Sequence, residues 1–528
     1  MTYDYVIVGA GAAGCVLAER LSADPTVEVL LVEDGGSGRD PLLAVPRAFY
    51  FTLRSDRHTR RYATRPSQGV PPEAWTRGRG LGGSTAVNGL MYVRGSAADF
   101  DSLEALGNPG WGGREFMAAY REMEDHALGR STTRGSGGPL AVSVPRHEDV
   151  VTDGVMAGAA ALGLRRVDDF NDSDDERIAF TPATIGRGRR VSAASAFLGP
   201  ARGRPNLTVA TRTHADRLLL AAGAVVGVRL RRRGAVEDVL VRREVLVAAG
   251  TIESPLLLER SGIGRAEVLS HAGVGQRVES PRVGENVIEQ RAVSMQVRFR
   301  GRLGVTERLN TLPRQAREAA RYLATRRGPV ATSGYDIVSA VRSSTDLARP
   351  DVQGVWVPMA IDETSPHMRL APYSGLLFTG YALRPTTGGS VHIASADAHV
   401  APELAPRYLE DRDEQETTGS ILGHARDLLA ASPLADHVED EVFPGPVVSS
   451  PDEVVAYARS GGGGIYHAVG SCAMGPTDDD VVDADLRVRG VAGLRVIDAS
   501  VLPQQVSGNT AAPVMALAWI AAGRIARG

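Results

Sequence analysis

The chain has no lysine. All 59 basic residues among its 528 are arginine, so a Schiff-base lysine, a lysine general base and a P-loop lysine are unavailable, and pyridoxal-type catalysis is excluded. Cysteine is almost missing too. Cys15 and Cys472 stand alone, too few for a disulfide framework and without a C-x-x-C or Cys/His cluster that would suggest zinc. The net charge is only −3, which argues against a nucleic-acid or anionic-membrane partner. The longest apolar run near the C-terminus, residues 511–522, is too short to span a bilayer. A strand-like run begins almost at the first residue, leaving no room for a signal peptide, so a cytoplasmic protein is expected. Acidic patches at residues 168–176 and 478–480 lack the glycine and terminal glutamate of a calcium loop and read as solvated loops, so no metal is expected.

What is present begins with residues 3–36. An apolar run at 5–8 reads as a buried strand. Gly9, Gly11 and Gly14 follow in the spacing G-x-G-x-x-G and lead through Ala12 and Ala13 into a helix expected over 12–21. A second apolar run at 27–32 ends in Glu33. In a dinucleotide site Gly9 makes the tight turn, Gly11 admits a pyrophosphate and Gly14 lets helix and strand pack. The helix N-terminus faces the phosphates, and Glu33 accepts from ribose hydroxyls.

Residues 41–72 read as irregular. Gly78–Gly89, with Arg79, Gly82, Gly83, Ser84 and Asn88, is glycine-dense and passes directly into the apolar segment containing Met91; it suggests backbone N–H groups turned inward around a flat or anionic ligand. Strands are expected at 207–210, 218–220, 225–232, 239–241 and 245–249, then a helix after Gly250 with Pro255 in its first turn. From 290 to about 444 alternating runs at 292–298, 336–341, 352–359, 376–383 and 389–393 predict a large antiparallel sheet, with helices at 313–326 and 413–431. Near the C-terminus, His467 and Asn509 are the polar pair placed at glycine-flanked turns.

Over nearly its whole length the chain resembles the glucose–methanol–choline (GMC) family of FAD-dependent oxidoreductases. Four motifs in the family's order carry this: Gly9–Gly14 with Glu33, Gly78–Asn88, Gly250–Gly264, and the His467 segment ending in Asn509. The resemblance implies an α/β chain (α+β overall). A Rossmann-like FAD-binding domain would comprise residues 1–150, 195–289 and 450–528, the last carrying the catalytic pair. A substrate domain built on an antiparallel sheet would comprise 151–194 and 290–449. It also implies cofactor contacts at the glycine motifs named above with Glu33, at Arg79, Gly82, Gly83, Ser84, Asn88, Gly89 and Met91, at Ala215, Gly250 and Ser254, and at Asp498, Ala499, Asn509 and Thr510. His467 and Asn509 fall at the family's paired positions over flavin N5.

Hydride loss from an alcohol carbon requires the O–H proton to leave. A histidine suits that task, and an asparagine can hold the developing alkoxide. No histidine stands at position 86 or 88 to tether a flavin, so FAD is expected to be non-covalent. Met91, Tyr335, Trp356 and Tyr466 are the candidate pocket residues for a small-molecule alcohol, with O2 or another carrier as electron acceptor. The alternative within the fold is a hydroxynitrile-lyase-type enzyme with a non-redox flavin. Where relatives often read Gly-Glu-Asn-Leu-x-Asp-His, this chain has Gly284–Gln290, ending Glu289-Gln290, a departure expected to alter local structure and leave the chemistry. The sequence carries no readable sign of oligomeric state.

Overall fold

The apolar run at the N-terminus forms the strand β1, Thr2–Val8, buried from Tyr3 onward. The helix α1, Ala12–Leu21, and the strand β2, Val29–Glu33, follow it. The computed structural model describes residues 2–146, 149–364 and 369–527. β1 pairs in parallel with β2 on one side and with the strand Ala235–Val247 on the other. The strand Leu207–Thr211 continues the sheet beyond β2, and Leu494–Val496 runs parallel to the end of Ala235–Val247. Two further strands, His214–Ala221 and Ala224–Arg232, meander antiparallel against the same long strand. Residues 239–241 and 245–247, read in two separate strands, belong to one 13-residue strand, which runs on through Arg242-Arg243-Glu244 although its register against β1 shifts by one residue there. Parallel strands buried on both faces need helices on both, and α1 and the helix Ala511–Arg527 contribute to this core.

The second sheet is antiparallel throughout. Its order is Val438–Phe443, Arg291–Phe299, Gly375–Ala382, Val352–Val357, Ile337–Val341 and Arg177–Phe180. Strand parity divides its faces. Leu376, Phe378 and Trp356 pack in one cluster with Ile421 and Leu422 of the helix Arg412–Ala430. Ser294, Val355, Leu377, Thr379 and Tyr381 point the other way, into a cavity between the two sheets.

Three other expectations change. Thr59–Ala63 is a strand paired with Ala74–Gly78, inside the stretch read as irregular; its Thr-Arg-Arg-Tyr-Ala pattern is too polar to stand out. Residues 389–393 do not join the large sheet, because Ser390–His392 pairs with Glu403–Ala405 in a separate ribbon. Pro255 lies inside the helix Gly250–Arg260 rather than in its first turn. The N–H that proline lacks would have served the carbonyl of Thr251, and the Ser471 hydroxyl donates to that oxygen instead at 2.6 Å. Among the described residues no helix is long and apolar enough to cross a membrane.

Candidate active site

A cavity of about 660 Å³ runs between the sheets from Glu33, Asp34 and Arg79 at one end to His467 and Asn509 at the other. Of the residues singled out from the sequence, it is lined by Gly9, Gly11, Ala12, Ala13, Gly83, Ser84, Asn88, Gly89, Met91, Ala215, Gly250, Ala499 and Thr510, and by Asp498, Tyr335 and Tyr466. Gly14, Gly82, Ser254 and Trp356 do not line it. Trp356 is fully buried on the helix-covered face of the second sheet, its ring centroid 4.5 Å from that of Phe378 and its Nε1 donating to Ser339 Oγ at 3.2 Å. Its parity sends it away from the cavity, so it is a core residue and not a pocket residue.

At the first end, the chain turns after β1 at Gly9, whose φ of +103° a side chain would resist. A Cβ on Gly14 would overlap the carbonyl oxygen of Gly9, whereas one on Gly11 would meet nothing within 4 Å. Helix α1 starts with no side-chain cap and no acid in its first turn, leaving its N–H groups free for an anion. The Glu33 carboxylate accepts from the backbone N–H groups of Ala10 at 2.9 Å, Gly35 at 2.8 Å and Gly80 at 2.9 Å. Burial pushes its carboxyl up while these three donors pull it down. Asp34 pairs with Arg79 at 2.6 Å at that end. Asp498 accepts from the Gly250 N–H at 2.9 Å and from Ser254 Oγ at 2.6 Å. Ser254 therefore serves the cavity through Asp498, by tying the end of the strand Leu494–Val496 to a helix start. An unobstructed glycine face, uncapped helical N–H groups and a carboxylate at the far end suit the diphosphate and ribose of FAD.

At the other end, His467 follows Tyr466, a left-handed residue at φ +70°. Asn509 Nδ2 lies 3.0 Å from His467 Nε2, and Gln290 Oε1 lies 2.7 Å from His467 Nδ1. The amide of Gln290 is oriented by its Nε2, which donates to the carbonyl of Leu383 at 2.7 Å. Its oxygen must then accept from His467, so the imidazole proton sits on Nδ1. Nε2 is left as an acceptor, which Asn509 Nδ2 satisfies. Asn509 Oδ1 faces Gln353 Nε2 at 3.4 Å, consistent with that orientation, and Gln353 also donates to the Tyr381 hydroxyl. Burial, helped by the positive charge of Arg77, pushes His467 down to about 3, so it is a neutral imidazole.

The loop carrying His467 is anchored by Glu289. Its carboxylate accepts the backbone N–H groups of His467 at 2.8 Å, Ala468 at 3.1 Å and Gln290 at 3.0 Å. Burial raises it to about 7, opposed by Arg77. Glu289 and Gln290 were not singled out from the sequence as site residues. The signal that could have found them was the departure at the end of Gly284–Gln290, which bears on the histidine itself.

Comparison with known proteins identifies the family. The GMC oxidoreductase family models match residues 3–292 and 385–518. The alcohol dehydrogenase [acceptor] of Pseudomonas putida is 32% identical over 530 residues, covering 99% of this chain and 96% of its own. The oxygen-dependent choline dehydrogenase of Photobacterium profundum is 32% identical over 543 residues, covering 99% and 93%. The structure of pyridoxine 4-oxidase from Mesorbium loti superposes with a TM-score of 0.90 at 29% identity, covering 100% of this chain and 99% of its own. The chain belongs to the GMC oxidoreductase family and is an FAD-dependent alcohol oxidoreductase.

Proposed function

We propose that the protein oxidises a neutral primary alcohol, apolar or aromatic, to its carbonyl compound. His467 takes the hydroxyl proton and Asn509 holds the oxygen. The observation that carries this reading is the His467–Asn509 contact at 3.0 Å, with Gln290 leaving Nε2 as the basic nitrogen. Non-covalently bound FAD supplies hydride acceptance and passes the electrons to O2 or another carrier. An alcohol oxygen placed beside Nε2 takes the position of acceptor for one Asn509 N–H as its proton moves to the imidazole. The positive potential of Arg77 that disfavours an imidazolium also favours a developing alkoxide.

The second sheet presents Ser294, Val355, Leu377, Thr379 and Tyr381 to the cavity, none of them charged. The cavity's carboxylates stand on other elements and already have partners, as Glu253 does in Arg60 and the Tyr62 hydroxyl. A substrate cation such as choline finds no carboxylate on this wall, whereas an apolar body packs on it.

The test is anaerobic mixing of the FAD-loaded protein with aromatic, aliphatic and choline-type alcohols, followed by the flavin absorbance. Aromatic or aliphatic alcohols are expected to bleach it and choline to do so far more slowly. His467→Ala should retain FAD and slow bleaching by roughly a hundred- to ten-thousandfold. A variant that bleached at the parent rate would remove His467 from the reaction.

A further inference from the structure

Arg190 is a buried cation that meets no anion among the described residues. It lies on the short strand Arg189–Arg190, paired with Ile185–Gly186, and is 6% exposed. Its guanidinium donates only to neutral oxygens. Nη1 reaches Asn88 Oδ1 at 2.8 Å and the Thr85 carbonyl at 3.2 Å, and Nη2 reaches the Asn88 carbonyl at 2.7 Å and that of Pro46 at 3.5 Å. Nε has no partner. Among the described residues no carboxylate forms an ion pair with it, and burial alone pushes its pKa down to about 9. Three other buried arginines are matched, Arg94 with Glu124 at 2.6 Å, Arg291 with Glu73 at 3.0 Å and Arg495 with Glu244 at 2.7 Å, whereas Arg177 resembles Arg190 in donating to carbonyls, those of Phe170 and Asp175, but lies away from the cofactor cavity.

A buried unpaired charge is costly, and an anion brought close to it would offset that cost. The carbonyls that hold Arg190 show where such an anion would lie. Thr85 and Asn88 line the cofactor cavity, and the neighbouring Gly83 packs on Gly11 at the start of α1. FAD brings negative charge to this wall through its diphosphate, and more when its ring accepts a hydride.

We propose that Arg190 is the counter-charge for bound FAD, left unpaired by the protein because the cofactor's negative charge completes the pair across the Thr85–Asn88 segment. The rival role is mechanical, a clamp that shapes this segment through its carbonyls. The proposal rests on FAD binding and is independent of the role given to His467, so either can fail without the other.

The two roles predict opposite signs in the apoprotein. Arg190→Gln keeps amide donors for the Asn88 oxygens and removes the charge. As a counter-charge, its loss leaves the thermal midpoint of the apoprotein no lower than the parent's while the dissociation constant rises at least tenfold, for both redox forms of FAD if the diphosphate is the partner and for the reduced form if the ring is. The flavin midpoint potential of the same variant separates the two sources of negative charge. It stays constant if the diphosphate is the partner. If the reduced ring is the partner it falls, by about 30 mV for each tenfold of extra affinity lost by the reduced form. Arg190→Lys, which keeps a charge but loses the planar fork, should bind FAD within threefold of the parent. A lowered apoprotein midpoint with unchanged FAD affinity and potential in Arg190→Gln would overturn the proposal. So would a tenfold loss of FAD affinity in Arg190→Lys.

Discussion

Gln290 Oε1 accepts the Nδ1 proton of His467 at 2.7 Å, and this one bond decides which nitrogen of the imidazole faces Asn509. A neutral amide fixes the tautomer without adding the negative charge that would favour an imidazolium. Gln290→Leu should therefore lower kcat about ten- to a hundredfold with KM little changed, since orientation is lost while the cavity keeps its shape. Gln290→Glu should act differently: a carboxylate beside Nδ1 raises the His467 pKa and moves the acidic limb of the kcat/KM profile upward. In the parent, His467 at about 3 predicts that no limb due to its protonation appears near 6.5. Steady-state pH profiles of the three proteins check both statements, and identical profiles for the parent and Gln290→Glu would count against the tautomer argument.

Local signals in the sequence located the elements that have local causes. Glycine spacing and an apolar run placed β1, α1 and β2 because a tight turn and a buried strand leave marks on adjacent residues. What the sequence could not show depends on partners far along the chain. Glu289 and Gln290 stand out in the sequence only as a departure from the family pattern, and their role appears when they meet a loop some 178 residues away. The face on which Trp356 lies follows from its pairing with Ile337 and Phe378, and an all-buried strand has no alternation to reveal it. Arg190 reads as one more arginine in a run of three basic residues interrupted by Gly188, and only burial distinguishes it from Arg187 and Arg189.

Gly11 and Gly14 belong to one motif but should fail in different ways. A Cβ at position 14 overlaps the Gly9 carbonyl, so Gly14→Ala must push helix and strand apart and should lower the thermal midpoint of the apoprotein itself. At position 11, where φ is −79° and the space is open, alanine strains nothing in the protein. Gly11→Ala should therefore leave apoprotein stability near that of the parent and weaken FAD binding, because the methyl group occupies the diphosphate's approach. Thermal melts and FAD titrations of the two variants separate these effects.

Glu289 predicts a pH dependence of stability. With a folded-state pKa of about 7 against an ordinary 4.5, the folded protein holds the proton that the unfolded chain releases between these values. Its contribution is complete below 4.5 and is lost as the pH rises through 7. Glu289→Gln lacks the second acceptor oxygen that faces Ala468, so it should be less stable than the parent at pH 5, and the gap should narrow by pH 8. His467 does not account for this trend, because its depressed pKa makes stability rise with pH between about 3 and 6.5. Denaturant midpoints at pH 5 and pH 8 measure the gap, and a gap that widened with pH would reverse the assignment.

Neighbouring residues on the strand Val352–Val357 should divide between stability and specificity. Val355 pairs with Thr379 and faces the cavity, whereas Trp356 pairs with Phe378 and faces the helix Arg412–Ala430. Trp356→Ala empties a fully buried site and should cost about 3–5 kcal/mol. Trp356→Phe keeps most of the ring and loses the bond to Ser339 Oγ, so it should cost about 1–2 kcal/mol with kcat/KM ratios among alcohols unchanged. Val355→Ala removes two methyl groups from a wall that substrate can occupy. It should shift the ranking of alcohols towards bulkier ones, because the space it opens is filled by ligand rather than left as a void. Denaturant midpoints and kcat/KM over an alcohol series, measured on all three variants, decide the matter. A change in alcohol ranking in Trp356→Phe with none in Val355→Ala would mean that the strand presents its opposite face to the cavity.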